Sequence, residues 1–337
     1  MLFVAAVALL TVSCSDDKDK DNDVTVDRKV AVLLPDDSMI ERWGIDKKNL
    51  ENAKNRYGLD ATFYTAPETA EGANQQVAQL EKAINDGIKY IVITAIDYNK
   101  INESGLLEQN PDVKVVCHDR FLIDNPHIAY ISSADTKAVG GLQASFLLTY
   151  FRTSGKSSMT LEILEGPETD VNAKDYYGGA MEKLNPLIES GELIVKSGKK
   201  EYDQVKANSW SVADGKSDML NRLASYGQSE RPDLILAAVD NQAQGAIEAL
   251  TEKGITDMPI ITGQDNATIA RQNILDGKQT MTIDKSLEEM AFNTALIVNG
   301  LVHKVPVQTM DYVTIGSTKI PVMYSKLITM VKDSYPY

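Results

Sequence analysis

"ANQQVAQLEKAINDGIKYIVITAID", residues 73–97, decides the fold. Ala73, Val77, Leu80 and Ile84 recur at the spacing of one helix face. Gly87 follows, the residue type that most often ends a helix in a left-handed turn. Then comes "KYIVIT" (89–94), a short apolar run without polar alternation, as expected of a strand buried on both faces. The run closes on Asp97. The same helix–glycine–strand unit recurs in "LNPLIESGELIV" (184–195) and "AIEALTEKGITDMPIIT" (246–262). Nearer the start, "KVAVLL" (29–34), a helix-period stretch from Arg42 to Tyr57 and "DATFYT" (60–65) extend the pattern. Strands alternating with helices predict βαβ units and parallel sheets, an α/β fold. The chain has 337 residues, and at roughly 150 residues per domain that length suggests two domains. No Pro/Gly linker separates two halves, which fits a chain that crosses between lobes several times.

Seven apolar runs end in Asp: "VAVLLPDD" (30–37), "IVITAID" (91–97), "VKVVCHD" (113–119), "IAYISSAD" (128–135), "LILAAVD" (234–240), "IITGQD" (260–265) and "TMTID" (280–284). Ligands of open α/β sheets bind beyond the carboxyl ends of the strands, so polar residues there would face a shared crevice. An Asp after a strand also caps the next helix, and for Asp97, Asp135 and Asp240 capping is at least as good a reading. Capping explains one polar residue. It does not explain "CHDRF", "GQDNA" or "IDKSL", where the Asp comes with Arg, Asn or Lys.

Lys and Arg number 34 against 48 Asp and Glu, a net charge of -14. Such a balance argues against a nucleic-acid partner, which leaves a basic footprint, and no helix-turn-helix precedes Val30. No Cys/His spacing reads as a zinc site, no EF-hand loop is present, and no metal or cofactor is expected. Cys117, inside "VKVVCHD", reads as a small buried hydrophobe. A G-x-S-x-G elbow is absent. "RTSGKSS" (152–158) fails the phosphate-loop spacing and reads as a loop between a helix and a strand. The Gly pairs at 140–141 and 178–179 form no dinucleotide pattern. Asp residues are abundant enough to leave a carbohydrate-active enzyme with paired carboxylates as an alternative of another class.

Leu2 to Val12 is apolar, too short to span a bilayer and of the length of a signal-peptide core. It ends in "TVSCSDDKDKDND", which resembles a bacterial lipoprotein signal with Cys14 as the lipidated residue. Residues 1–14 would then be the signal, and 15–26 an acidic, solvated tether. The expected location is the cell envelope, periplasmic or at the outer-membrane surface.

At "DDSMIERW", "CHDRF", "DVNAKDYYGG", "AIEAL…TGQDNATI" and "KQTMTIDKS" the chain closely resembles periplasmic sugar-binding proteins of the ribose/xylose type, a likeness nearest to the D-xylose-binding members and covering roughly Val26 to Val302. The resemblance implies a type I periplasmic binding protein. Two Rossmann-like lobes, each a parallel sheet flanked by helices, would be joined by a three-crossover hinge. The lobes would comprise 27–132 plus about 286–312, and 133–285 plus about 313–337. It implies a monosaccharide in the interlobe cleft, held by Arg42, Trp43, Asp119, Arg120, Asn172, Trp210, Asp240, Asp265 and Lys285, with the two tryptophans on opposite faces of the sugar. It also implies a monomer without catalytic residues that serves an ABC-transporter permease or a membrane sensor. Two positions depart from the family pattern: Val171 and Val239 stand where Asn is usual, and Val239 falls on a ligand contact.

The chemistry of a sugar suits these residue types. Hydroxyl groups buried unpaired cost roughly 1–3 kcal/mol each, and planar Asp, Asn and Arg side chains satisfy neighbouring hydroxyls in pairs. The C–H faces of a pyranose match flat aromatic surface.

Overall fold

The computed structural model describes residues 27–309 and 311–335. The signal segment with Cys14 and the whole of the tether, residues 1–26, lie outside the described residues.

The first lobe runs β1 (Lys29–Pro35), α1 (Arg42–Tyr57), β2 (Asp60–Ala66), α2 (Ala70–Asn85), β3 (Tyr90–Ile93), α3 (Tyr98–Glu103), α4 (Leu106–Gln109), β4 (Lys114–His118) and β5 (Ile128–Ala134). The second follows with α5 (Thr136–Thr153), β6 (Met159–Leu164), α6 (Val171–Ser190), β7 (Leu193–Ile194), α7 (Tyr202–Val205) and α8 (Val212–Leu223). It continues through β8 (Leu234–Ala237), α9 (Asp240–Glu252), β9 (Ile260–Ile261), α10 (Thr268–Leu275) and β10 (Thr282–Asp284). The chain then returns to the first lobe with α11 (Leu287–Val302), β11 (Asp311–Ile315) and β12 (Thr318–Ser325), and ends in the second with β13 (Ile328–Met330).

The first sheet has the order β11-β12-β5-β4-β3-β1-β2, parallel except for the β11–β12 hairpin at its edge. The second has the order β7-β6-β8-β9, all parallel, with β10 and β13 forming an antiparallel pair beside it. Residues 313–325 therefore belong to the first lobe, against the expected boundary. The alternation Val313, Ile315, Ile320, Val322 puts apolar side chains on the face already covered by α2 and α3, and Val322 pairs with Ile131 of β5. The three crossovers fall at Asp135, at Lys285–Ser286 and at Lys326–Leu327.

The unbroken apolar strands follow from burial on both faces. In β1, Ala31 and Leu33 join one core, and Val30, Val32 and Leu34 join the other, under α1 and α11. In β8, Leu234 and Leu236 face α5 and α6, while Ile235 and Ala237 face α8 and α9. Cys117 is fully buried in the first core, and burial pushes its thiol pKa up to about 12. The three glycines of the repeated unit, Gly87, Gly191 and Gly254, all take the left-handed conformation expected after a helix.

The two Gly pairs have a packing role. A Cβ on Gly140 would lie 1.9 Å from the Tyr176 carbonyl oxygen, and one on Gly179 would lie 1.9 Å from that of Lys137. The glycines let α5 and α6 cross backbone to backbone, which places the start of α6 against the cleft.

Candidate functional site

The residues singled out in the sequence come from separate strand ends. Arg42 and Trp43 open α1. Asp119 and Arg120 follow β4. Asn172 lies in the first turn of α6, Trp210 just before α8, Asp265 after β9 and Lys285 after β10. All except Asp240 converge on one central gap between the lobes, and each of them is buried or nearly so, while Asp240 lines a neighbouring gap with Arg42 and Asp265.

The centre is ionic. Arg42 donates through Nε and Nη2 to Asp46 Oδ2, at 3.1 and 2.9 Å, and its Nη1 lies 3.1 Å from Asp119 Oδ1 and 3.3 Å from Asp265 Oδ1. Lys285 Nζ is 3.0 Å from Asp265 Oδ1 and 3.7 Å from Asp119 Oδ1. Burial opposes ionisation of Asp119, but Arg42 and Lys285 outweigh it and hold the carboxyl far below the usual range. Burial and Arg42 likewise oppose the charge on Lys285, and Asp265, Tyr176 and Asp119 reverse that. Asn172 Nδ2 reaches Asp119 Oδ2 at 3.3 Å across the cleft. Behind Asp46, His118 Nε2 stands 3.5 Å from its Oδ1, and His118 Nδ1 is 2.8 Å from the Thr294 hydroxyl. His118 thus ties the end of β4 to α11 behind the cluster.

A second ionic chain orients the aromatics. Trp43 Nε1 donates to Glu68 at 2.8 Å, and Trp210 Nε1 donates to Asp170 at 2.9 Å. Arg120 pairs with both carboxylates, 2.6 Å to Glu68 and 2.8 Å to Asp170. The guanidinium carbons of Arg42 and Arg120 lie 4.5 and 4.9 Å from the Trp43 ring centroid, a cation–π arrangement. Trp210 packs edge-on to Tyr176 and directly over Gly166, whose missing Cβ would sit 1.9 Å from the indole.

Asp119, Asp265, Asn266 and Ser286 have positive φ without being glycine. Such conformations cost of order 1–3 kcal/mol each and persist where surrounding structure over-determines them. Three strand ends that feed the cleft carry them. Asn172 Oδ1 and Gln264 Oε1 are buried there with no hydrogen-bond partner among the described residues. Val239 lines the same gap.

Asp240 stands elsewhere. Its Oδ1 accepts from Gln279 Nε2 at 2.8 Å, and its Oδ2 accepts from the Ala267 amide at 2.9 Å and the Thr282 hydroxyl at 3.0 Å. It neither faces the central gap nor caps its own helix. It braces the loop that carries Asp265. Asp97 and Asp135 are helix caps, accepting from Asn99 and Ala138 amides.

Sequence reasoning did not find Asp46, Glu68, Asp170, Tyr176 or Gln264. Asp46 had a usable signal, since it lies one helical turn from Arg42. Glu68 had none, because its partners are 25 and 52 residues away.

A periplasmic binding protein domain model matches residues 30–303. The multiple sugar-binding periplasmic receptor ChvE of Rhizobium radiobacter is 31% identical over 297 residues, covering 86% of this chain and 82% of that one. The D-xylose-binding periplasmic protein of Haemophilus influenzae is 31% identical over 274 residues, covering 80% and 76%. Among solved structures, an ABC-transporter solute-binding protein of Clostridium phytofermentans with bound β-D-glucose superposes with a TM-score of 0.84 at 27% identity, over 91% of this chain and 95% of that one. With two α/β lobes, three crossovers and a polar cluster at facing strand ends, the chain belongs to the periplasmic binding protein family.

Proposed function

We propose that this protein captures a neutral monosaccharide between its lobes and delivers it to an ABC-type membrane transporter. One observation carries the reading: Arg42, Asp119, Asp265 and Lys285 are buried together, from both lobes, in a gap closed by Trp43 and Trp210. Planar charged groups of this kind bind adjacent hydroxyls in pairs, and each lobe alone supplies half of them. Ligand therefore binds the closed form better and shifts the population towards it. Around the gap three cations, Arg42, Arg120 and Lys285, face five carboxylates, those of Asp46, Glu68, Asp119, Asp170 and Asp265. That excess disfavours an anionic ligand.

The protein is a binding protein and not an enzyme, as its family is. The site fits that statement. A glycosidase needs a carboxyl of raised pKa free to face the bond to be cleaved, whereas Asp119 is held ionised and both oxygens of Asp240 are engaged by Gln279, Thr282 and the Ala267 amide. Relatives named for xylose and for multiple sugars make xylose the first candidate, with glucose next because a glucose complex shares the fold. A sensing role, in which the closed form is presented to a membrane receptor, is the second reading and draws on the name of the Rhizobium relative. We place the protein as a monomer in the cell envelope, tethered by lipid on Cys14.

A thermal-shift screen against pentoses, hexoses and inositols tests the proposal. A ligand present at 100 times its Kd stabilises the folded state by about 2.7 kcal/mol. No shift with any of them would overturn it.

A further inference from the structure

The chain that follows the third crossover returns to the loop that carries Asp265. β13 runs antiparallel to β10, with Ile328 opposite Asp284 and Met330 opposite Thr282. Val331 then packs on the apolar cluster that contains Trp210, Val239 and Ile283. One 3-10 turn, Lys332–Ser334, follows and brings Tyr335 against Asn266. Asn266 is the neighbour of Asp265, and the two hold positive φ values of 52° and 93°. Consecutive non-glycine residues keep such a backbone only where their surroundings enforce it.

Asn266 is held on every side. Its Oδ1 accepts from the Tyr335 hydroxyl at 2.7 Å and from Arg271 Nε at 3.1 Å, and its Nδ2 donates to Asp284 Oδ2 at 2.9 Å. Its amide donates to Thr282 Oγ1 at 3.2 Å, and its carbonyl accepts from Arg271 Nε at 3.0 Å. Asp284 precedes Lys285 and accepts from the Ser286 amide at 2.7 Å, at the second crossover. Burial, with the Asp240 and Asp284 carboxylates, pushes the Tyr335 pKa up to about 12 against Arg271, so at neutral pH the phenol remains a donor.

We propose that Tyr335 and Asn266 are positioning residues of the binding site, which hold Asp265 in the strained backbone that presents its carboxylate to Arg42, Lys285 and the sugar. The inference rests on the reading of the central gap as a sugar site. Asp265 Oδ1 lies 3.3 Å from Arg42 and 3.0 Å from Lys285, so relaxation of this backbone would carry the carboxylate away from both. Neither Tyr335 nor Asn266 lines the gap, and their effect is therefore the same for every sugar.

The test is calorimetry of the full chain with the pentoses, hexoses and inositols of the thermal-shift screen, on the parent protein, Tyr335→Phe, Asn266→Ala and the double variant. Tyr335→Phe is expected to weaken binding about fivefold without reordering the ligands, and Asn266→Ala about tenfold or more. In the Asn266→Ala background Tyr335→Phe is expected to cost nothing further, because its partner is already gone. Hydrogen exchange of the sugar-free Tyr335→Phe protein is expected to quicken at the amides of residues 265–267 alone. Unchanged affinity in Tyr335→Phe, additive losses in the double variant, or exchange quickened throughout the second lobe would each overturn this inference and leave the proposed function standing. Binding of none of the ligands by the parent protein would overturn both.

Discussion

Trp43 and Trp210, one from each lobe, hang from the two ends of a single ionic chain, Trp43–Glu68–Arg120–Asp170–Trp210, whose only cross-lobe link is Arg120 to Asp170. The aromatic walls of the cleft are therefore set by the same contact that reports closure. Asp170→Asn removes the charge opposite Arg120 while leaving an oxygen for the Trp210 indole. Arg120 keeps Glu68, so the cost is that of one buried charge–charge contact, about 1–3 kcal/mol, and it falls on the closed form. Sugar affinity is expected to drop roughly ten- to hundredfold by calorimetry with little change in the unfolding temperature of the free protein. An unaltered affinity would show that Asp170 does not support closure.

Helix α10 is capped from the other lobe. Ala267, at its N-cap, has no side chain to offer, and Glu41 of the first lobe accepts from the Thr268 amide at 3.0 Å and the Thr268 hydroxyl at 2.6 Å. These bonds hold Glu41 below its usual pKa. The contact touches no group of the central cluster, so it acts only as a latch. Removing a helix cap costs typically about 1 kcal/mol, and here the loss is confined to the closed state. Glu41→Ala is expected to raise the sugar dissociation rate about fivefold in stopped-flow fluorescence, with the association rate nearly constant. A change confined to association would contradict the latch.

Asp240 couples the site loop to pH. Burial pushes its pKa up to about 7, against the pull of its three hydrogen-bond donors. In the unfolded chain the group ionises near pH 3.9. Between about 4 and 7 the folded state thus binds the extra proton, and stability falls as pH rises through that window. The contribution is fully present below about pH 4 and is lost above about 7, with an upper bound on the order of 4 kcal/mol. Asp240→Asn should flatten this dependence. Denaturant titrations at pH 5 and pH 8 check it, and equal pH slopes in the two proteins would refute the assignment.

The legibility of this chain follows from the range of its interactions. The lobes were readable because burial on both faces makes a strand apolar throughout, and because Gly87, Gly191 and Gly254 mark helix ends locally. Residues 313–325 of the hairpin were misassigned because its destination depends on a long-range pairing with β5, which carries no local signal. Charge at the end of an apolar strand is conspicuous, and it singled out Arg42, Asp119, Asp265 and Lys285, which the fold buries together. Asp240 obeyed the same rule, but its carboxylate is engaged within its own lobe. An Asp after a strand can brace a neighbouring loop as well as face the cleft, and only the partners Gln279 and Thr282, some forty residues on, separate the two.

Val239 carries the last prediction. It lines the central gap, only 5% exposed, where the sugar-binding pattern has an Asn that meets a hydroxyl. Val neither donates nor accepts. Asp240, the nearest polar residue in sequence, is fully engaged with Gln279, Thr282 and the Ala267 amide and cannot substitute. A sugar that directs a hydroxyl at Val239 leaves it unpaired, at a cost of roughly 1–3 kcal/mol. A sugar with hydrogen or a reoriented hydroxyl at that carbon avoids the cost, and a site discriminates between such isomers by the difference. Val239→Asn is therefore expected to reorder the sugars, tightening those with a hydroxyl at that position by about tenfold or more and weakening those without. Calorimetry of both proteins against xylose and its epimers checks this. An identical ranking would mean that Val239 does not touch the ligand.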